Sequence, residues 1–255
     1  MSMFATFPYA DRIEMLTDGA NYTKRGNFIL ETEKVWRSRH CPMMVTGRGN
    51  TKLIGELAAA CLLIADEHRN FAKAIEHIEK HINRWREANG TYQGTDFQLL
   101  IAGWSPEFGF GQFHIGSRDF MPGMSVLGVD TVWGVFYAGP PIDPEKTAAI
   151  VNDDTIKDGA ASFGPKLCQL ARETPMLNAD GGRTFPSVGG HIDLTTLTCD
   201  GVETRRLMTW PDRRFRKIDT SLSPVVHGDQ LPVGKTAINT AVPKWVEARR
   251  QGVAA

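Results

Sequence analysis

The sequence predicts an α+β fold, a four-layer α/β/β/α sandwich of two antiparallel sheets between helix pairs. Three observations predict it. Extended segments come in blocks separated by helical blocks, in the order strands, helix pair, strands, helical stretch, strands, and not in strict βα alternation. Two apolar stripes at helical spacing follow one another directly, Leu53, Ile54, Leu57, Cys61 and Ile64, then Ile75, Ile78, Ile82 and Trp85. Near the end, Asp200-Gly201 joins two extended runs and marks a β-hairpin.

Taken in order, Met3 to Thr17 reads as two short strands broken near Pro8-Tyr9-Ala10-Asp11. Phe28 to Trp36 reads as extended, and Pro42 to Thr46 as a strand that ends at Gly47. Helices follow from about Thr51 to Glu67 and from about Ala72 to Ala88, with Asn89-Gly90 as a stop signal. Phe97 to Trp104, Gly111 to Gly116 and Val132 to Ala138 read as strands. A helical stretch from Pro144 to Thr174 is expected to break near Gly159 and again at Gly164-Pro165. Gly190 to Cys199 and Val202 to Trp210 form the hairpin. The sandwich thus occupies residues 1–210, and 211–255 is an extension, basic and then Pro-rich, expected to pack loosely on the domain or on a neighbouring subunit.

Composition narrows the function. The chain has 255 residues, with 29 basic and 29 acidic side chains that cancel, so no global field would hold nucleic acid or an anionic membrane. The longest strongly apolar run, Leu57 to Ala65, is far below the ~20 residues of a spanning helix. Asp11, Arg12, Glu14 and Asp18 leave no signal-peptide core in the first twenty residues. Cys41, Cys61, Cys168 and Cys199 form no CxxC pair and read as buried free thiols. The expectation is a cytoplasmic globular protein. The Trp-, Phe- and Met-rich segment from Trp104 to Met124, read as exposed, suggests self-association.

Several local motifs compete. Gly47-Arg48-Gly49-Asn50-Thr51-Lys52 lies between a strand and a helix, as phosphate loops do, but lacks the Gly-Lys-Ser/Thr ending of one fingerprint and the third Gly of the other. Glycines that turn a strand into a helix are the simpler reading. His77 and His81 have zinc-clamp spacing without the Glu a metalloprotease needs after the first His. His191 and Asp193 share a strand face without a third ligand. Arg205-Arg206 and Arg213 to Lys217 form a basic patch, read as a subunit contact or solvated face rather than an RNA site.

Thr17-Asp18-Gly19-Ala20, Glu33-Lys34-Val35-Trp36 and Val45-Thr46-Gly47-Arg48-Gly49 follow one another before the long helix. Asp18 and Lys34 stand 16 and 32 residues after Ser2. In these motifs the chain resembles the N-terminal-nucleophile hydrolases, and within them proteasome β-subunits and their bacterial relatives. Ser187-Val188-Gly189-Gly190-His191-Ile192-Asp193-Leu194 and Asp200-Gly201 extend the resemblance to about residue 210. It implies a peptide or amide substrate, a homo-oligomer, no cofactor and no metal ion. It further implies Ser2 as nucleophile once Met1 is removed, Asp18 and Lys34 beside it, and the Gly47 amide as an oxyanion donor. The residue types suit that chemistry. A free α-amine titrates near ~7.7–8.0 and can take the proton of its own hydroxyl. A nearby lysine ammonium favours the developing alkoxide, and an aspartate holds the lysine. An oxyanion donor contributes roughly 3–4 kcal/mol in well-studied hydrolases. A homologue that has lost the chemistry and acts as a ring or shell subunit is the alternative.

Overall fold

The structure, a computed structural model, describes residues 3–23, 25–90, 92–121, 123–177 and 184–227. It is an α+β fold whose sheets are antiparallel. Strands β1 (Phe4–Pro8) and β2 (Ile13–Asp18) form a hairpin, closed where the Tyr9 amide donates to the Arg12 carbonyl. Then come β3 (Ala20–Tyr22), β4 (Phe28–Glu31), β5 (Val35–Arg37), β6 (Met43–Arg48) and the helices α1 (Thr51–His68) and α2 (Phe71–Asn89). Strands β7 (Gln98–Ser105), β8 (Gly109–Gly116), β9 (Asp130–Thr131) and β10 (Phe136–Ala138) lead to helices α3 (Pro144–Ile150), α4 (Asp153–Lys157) and α5 (Ala160–Glu173). The short pair β11 (Met176–Leu177) and β12 (Thr184–Phe185) precedes β13 (His191–Thr198), β14 (Gly201–Thr209) and β15 (Val225–Val226).

One sheet has the order β10-β1-β2-β13-β14-β15 and a second the order β5-β6-β7-β8-β9; β3-β4 and β11-β12 pair separately. The alternation of side chains along each strand sorts the core into three parts. Val45, Leu99, Ile101 and Phe113 pack under α1 and α2, against Ile54, Ala58, Ile75 and Ile78. Ala5, Phe7, Leu16 and Ile192 pack against Phe163, Leu167 and Ala171 of α5. Phe4, Met15, Met44, Leu100 and Leu197 join the two large sheets. Each large apolar side chain buried this way contributes about 1.5–3 kcal/mol.

Helix ends follow local chemistry. The Asn50 side chain accepts from Lys52 N and Leu53 N to start α1, and Asn70 accepts from Lys73 N to start α2. Gly159 has no side chain to cap α5, so the buried Glu14 carboxylate of β2 accepts the Ala160 amide at 2.6 Å instead. Among the described residues, no helix is long and apolar enough to cross a membrane.

The structure departs from the sequence reading at several places. The extended run from Phe28 to Trp36 is two strands in different sheets, because Thr32 turns to donate its amide to Gly19 and Lys34 dives inward. Of Val132 to Ala138 only Phe136–Ala138 is strand, and β9, just before this segment, lies in the other sheet. Strand β6 continues past Gly47 to Arg48. Gly164-Pro165 does not interrupt α5. A Cβ on Gly164 would stand 2.9 Å from a Leu16 methyl, so this glycine brings the helix onto the sheet rather than ending it. Pro165 forfeits one helical hydrogen bond inside a helix held by its buried face.

Three cysteines are buried free thiols, but Cys199 is exposed. Trp104, Phe110, Met121 and Met124 are only partly open and pack on the inter-sheet core, so the exposed apolar segment expected there is turned inward. Residues 211–227 are not loose. Asp212 is fully buried against Arg172, Ile218 is buried, and β15 pairs with β14. The rest of the 211–255 extension lies outside the described residues.

Candidate functional site

Asp18 closes β2, a strand hydrogen-bonded on both sides, between β1 and β13. Its carboxylate turns into the protein and is about 1% exposed. Oδ1 accepts the Met3 amide at 2.9 Å and the Lys34 ammonium at 3.0 Å; Oδ2 accepts the Ala20 amide at 3.2 Å. Lys34 Nζ also donates to the Ala20 carbonyl at 2.6 Å. The Thr46 hydroxyl donates to the Lys34 carbonyl at 2.7 Å, tying the lysine to β6. Asp18 and Lys34 therefore form a buried, hydrogen-bonded ion pair. Burial pulls the Lys34 pKa below its ordinary value; attraction to Asp18 offsets part of this, and the nearby Arg48 charge adds to the lowering.

Gly47 sits in β6 opposite Leu99, next to Thr46. A Cβ there would meet the Gln98 carbonyl oxygen at 2.6 Å, so the position is kept open by close approach of β7. Ser2 lies outside the described residues. Met3, whose nitrogen carries Ser2 covalently, is buried and fixed by Asp18.

A second ionic group braces the turn after Asp18. His191 Nδ1 lies 2.9 Å from Glu31 Oε2, its Nε2 lies 3.1 Å from Asp193 Oδ2, and Arg206 Nε donates to Asp193 Oδ1 at 3.0 Å. Burial opposes charge on this imidazole, but the hydrogen bonds to Asp193 and Glu31 outweigh it and hold its pKa above the ordinary value. The ring lies flat over Gly19, where a Cβ would come within 2.3 Å of it. The Gly19 amide in turn donates to the His191 carbonyl at 2.7 Å. Gly19 is thus a residue without a side chain because an imidazole fills the space.

The sequence placed His191 and Asp193 on one face but missed Glu31 and Arg206, which come from other strands. It gave no role to Arg48, Tyr22 or Tyr137, which are coupled electrostatically. Arg48 leaves β6 on the same face as Thr46, and its charge is felt by Tyr22, Tyr137, Asp18 and Lys34. In sequence Arg48 stood out only as part of the Gly47–Lys52 and Val45–Gly49 motifs.

The rival motifs fare differently. In the Gly47–Lys52 segment the helix amides of Lys52 and Leu53 are already taken by Asn50. His81 Nδ1 faces the His77 carbonyl at 2.8 Å, and the His77 ring packs on His68 instead. Both ring nitrogens of His191 are engaged by carboxylates. Among the described residues, no three His, Cys, Asp or Glu side chains converge as metal ligands would.

The Asp18–Lys34 pair and its Met3 anchor can hold a chain terminus beside a buried ammonium, and the His191 group can fix the turn that supports them. No family model matches the chain, and no curated protein matches it either.

Proposed function

We propose that the chain is an N-terminal-nucleophile hydrolase that cleaves amide or peptide bonds, with Ser2 as nucleophile after Met1 is removed. One observation carries the reading: Asp18 Oδ1 binds both the Lys34 ammonium and the backbone nitrogen next to Ser2. A terminal serine attached to Met3 starts from an anchored atom, and Lys34 is held by the same oxygen. The four-layer arrangement belongs to this reading, supported by a core under α1 and α2, a core under α5 and a core between the large sheets.

The chemistry is acyl transfer. The neutral α-amine of Ser2 takes the hydroxyl proton as Oγ attacks the carbonyl carbon, and the carbonyl electron pair moves to oxygen. The Gly47 amide stabilises that oxyanion. Collapse expels the amine, which leaves with the proton held by the α-amine, and an ester to Ser2 remains. Water, deprotonated by the same amine, then releases the acid. Lys34 stabilises the alkoxide electrostatically, and Asp18 fixes Lys34.

Intact-mass measurement together with a Ser2→Ala variant tests the proposal. The expected result is a chain lacking Met1, hydrolysis of amide substrates by the wild type, and no turnover by a normally folded Ser2→Ala protein. Retained Met1 with no hydrolysis favours a catalytically silent subunit that self-assembles. Retained Met1 with turnover unaffected by Ser2→Ala would mean that the nucleophile is another group.

A further inference from the structure

Beside the Asp18–Lys34 pair stands a cation with no carboxylate of its own. Among the described residues, Arg48 makes two contacts, both long and both to neutral groups: Nη1 donates to Gln98 Oε1 at 3.4 Å and Nη2 approaches the Met176 sulfur at 3.6 Å. Its Nε is shielded from solvent and has no hydrogen-bond partner. The residue as a whole is half-buried.

Among the described residues Arg48 forms no ion pair. The carboxylate that acts on both Arg48 and Lys34 is Asp18, which the Met3, Ala20 and Lys34 hydrogen bonds already engage. The neighbouring ionic group is complete in itself, two carboxylates (Glu31 and Asp193) against His191 and Arg206. A guanidinium taken largely out of water without a counter-charge is unfavourable, and an arriving anion relieves it. The planar fork of N–H donors matches a carboxylate, which it can hold through two parallel bonds. A phosphate would also seek the backbone amides of the following helix, but Asn50 occupies those of Lys52 and Leu53.

We propose that Arg48 is a specificity-determining residue that binds a carboxylate of the substrate, so that the preferred amides carry an acidic group near the scissile bond. Two sources share that chemistry, an aspartate or glutamate side chain and a peptide's own terminal carboxylate. The inference rests on the hydrolase reading for the word substrate, but not for the binding of the anion.

The test measures binding separately from turnover. Full-length wild type and the Ser2→Ala variant are titrated calorimetrically with N-acetylglutamate α-amide, N-acetylglutamine α-amide and N-acetylalanine, with the Arg48→Gln and Arg48→Lys variants in parallel. The expected result is binding of a carboxylate ligand at least tenfold tighter than the glutamine amide, in wild type and Ser2→Ala alike. Arg48→Gln should lose that difference, and Arg48→Lys should keep part of it, since the charge remains and the fork does not. Tighter binding of the glutamate amide identifies a side-chain carboxylate, and tighter binding of N-acetylalanine a terminal one. Binding of both carboxylate ligands no tighter than that of the glutamine amide overturns the proposal, as does an undiminished preference in a folded Arg48→Gln protein. Carboxylate binding without any hydrolysis leaves the inference standing and removes the hydrolase reading. Hydrolysis indifferent to acidic groups does the reverse.

Discussion

Met3 and Lys34 meet on one atom: the Met3 backbone nitrogen and the Lys34 ammonium both donate to Asp18 Oδ1, at 2.9 and 3.0 Å. Two groups 31 positions apart in sequence are thereby fixed to each other through a single buried carboxylate oxygen. The charge is needed for both bonds, since a neutral group at this position would accept more weakly from each.

Breaking the pair from one side should therefore be costly. Asp18→Asn leaves Lys34 buried without its counter-charge and is expected to lose about 3–5 kcal/mol of stability. Lys34→Met leaves Asp18 with its two backbone donors and should cost less. The double variant should recover part of the Asp18→Asn loss. Urea unfolding of the four proteins measures the coupling; strictly additive single and double effects would show that the two side chains do not act as a unit.

His114 should set the acid side of the stability profile. Its imidazole is fully buried beside Phe136 and Phe120, and burial lowers its pKa to about 4. The unfolded chain then takes up a proton near the ordinary value of about 6.5 while the folded protein does not. Stability accordingly falls as pH drops from that value toward about 4, by about 3 kcal/mol in all. His114→Leu should flatten this limb in unfolding curves collected across the range. An unchanged acid limb in the variant would assign it to other groups.

His191 acts with the opposite sign. Its pKa is raised in the folded protein, so its stabilising charge is fully present below the unfolded value and is lost as pH rises through the higher folded value. His191→Gln should keep the shape of the site but lose this alkaline decline. The same thermal unfolding series, extended upward in pH, reads it directly.

Arg172 holds the segment after β14. Its side chain is fully buried, forks onto both oxygens of Asp212 at 3.0 and 2.6 Å, and reaches the carbonyls of Val188 and Asp219. Asp212→Asn should cost about 3–5 kcal/mol by leaving that guanidinium buried and uncompensated. It should also open residues 211–227 to limited proteolysis, whereas a substitution at the exposed Glu87, Glu87→Gln, should do neither. Wild-type resistance in the Asp212→Asn protein would remove Arg172 from this role.

Local signals carried much of the architecture. The α1 and α2 stripes, the Asp200-Gly201 hairpin and the broken first hairpin lie within a few residues of where the sequence puts them, because period and turn chemistry act over short range. Contacts over long range were not legible. His191 meets Glu31 across 160 positions and Arg172 meets Asp212 across 40, and no local pattern couples such residues. The break at Thr32–Lys34 was missed for a related reason. It lies in a run of suitable strand residues, and only the need to cross from one sheet to another divides it. The family resemblance singled out Asp18 and Lys34, which the structure pairs, whereas the surroundings of Arg48 became visible only in space.

The position of β2 bears on when the site comes into being. Its register sets Asp18 opposite Ile192 of β13, and β1 is closed on its other side by Phe136 to Ala138 of β10. Strand β2 thus waits for β13, and pairing so distant in sequence carries a high loop-closure cost and slows folding. A chain that ends before β13 already holds Met3, Ala20 and Thr46 against Asp18 and Lys34, but one side of β2 lies open. The surroundings of the pair are thereby incomplete until residues 191–198 have been made.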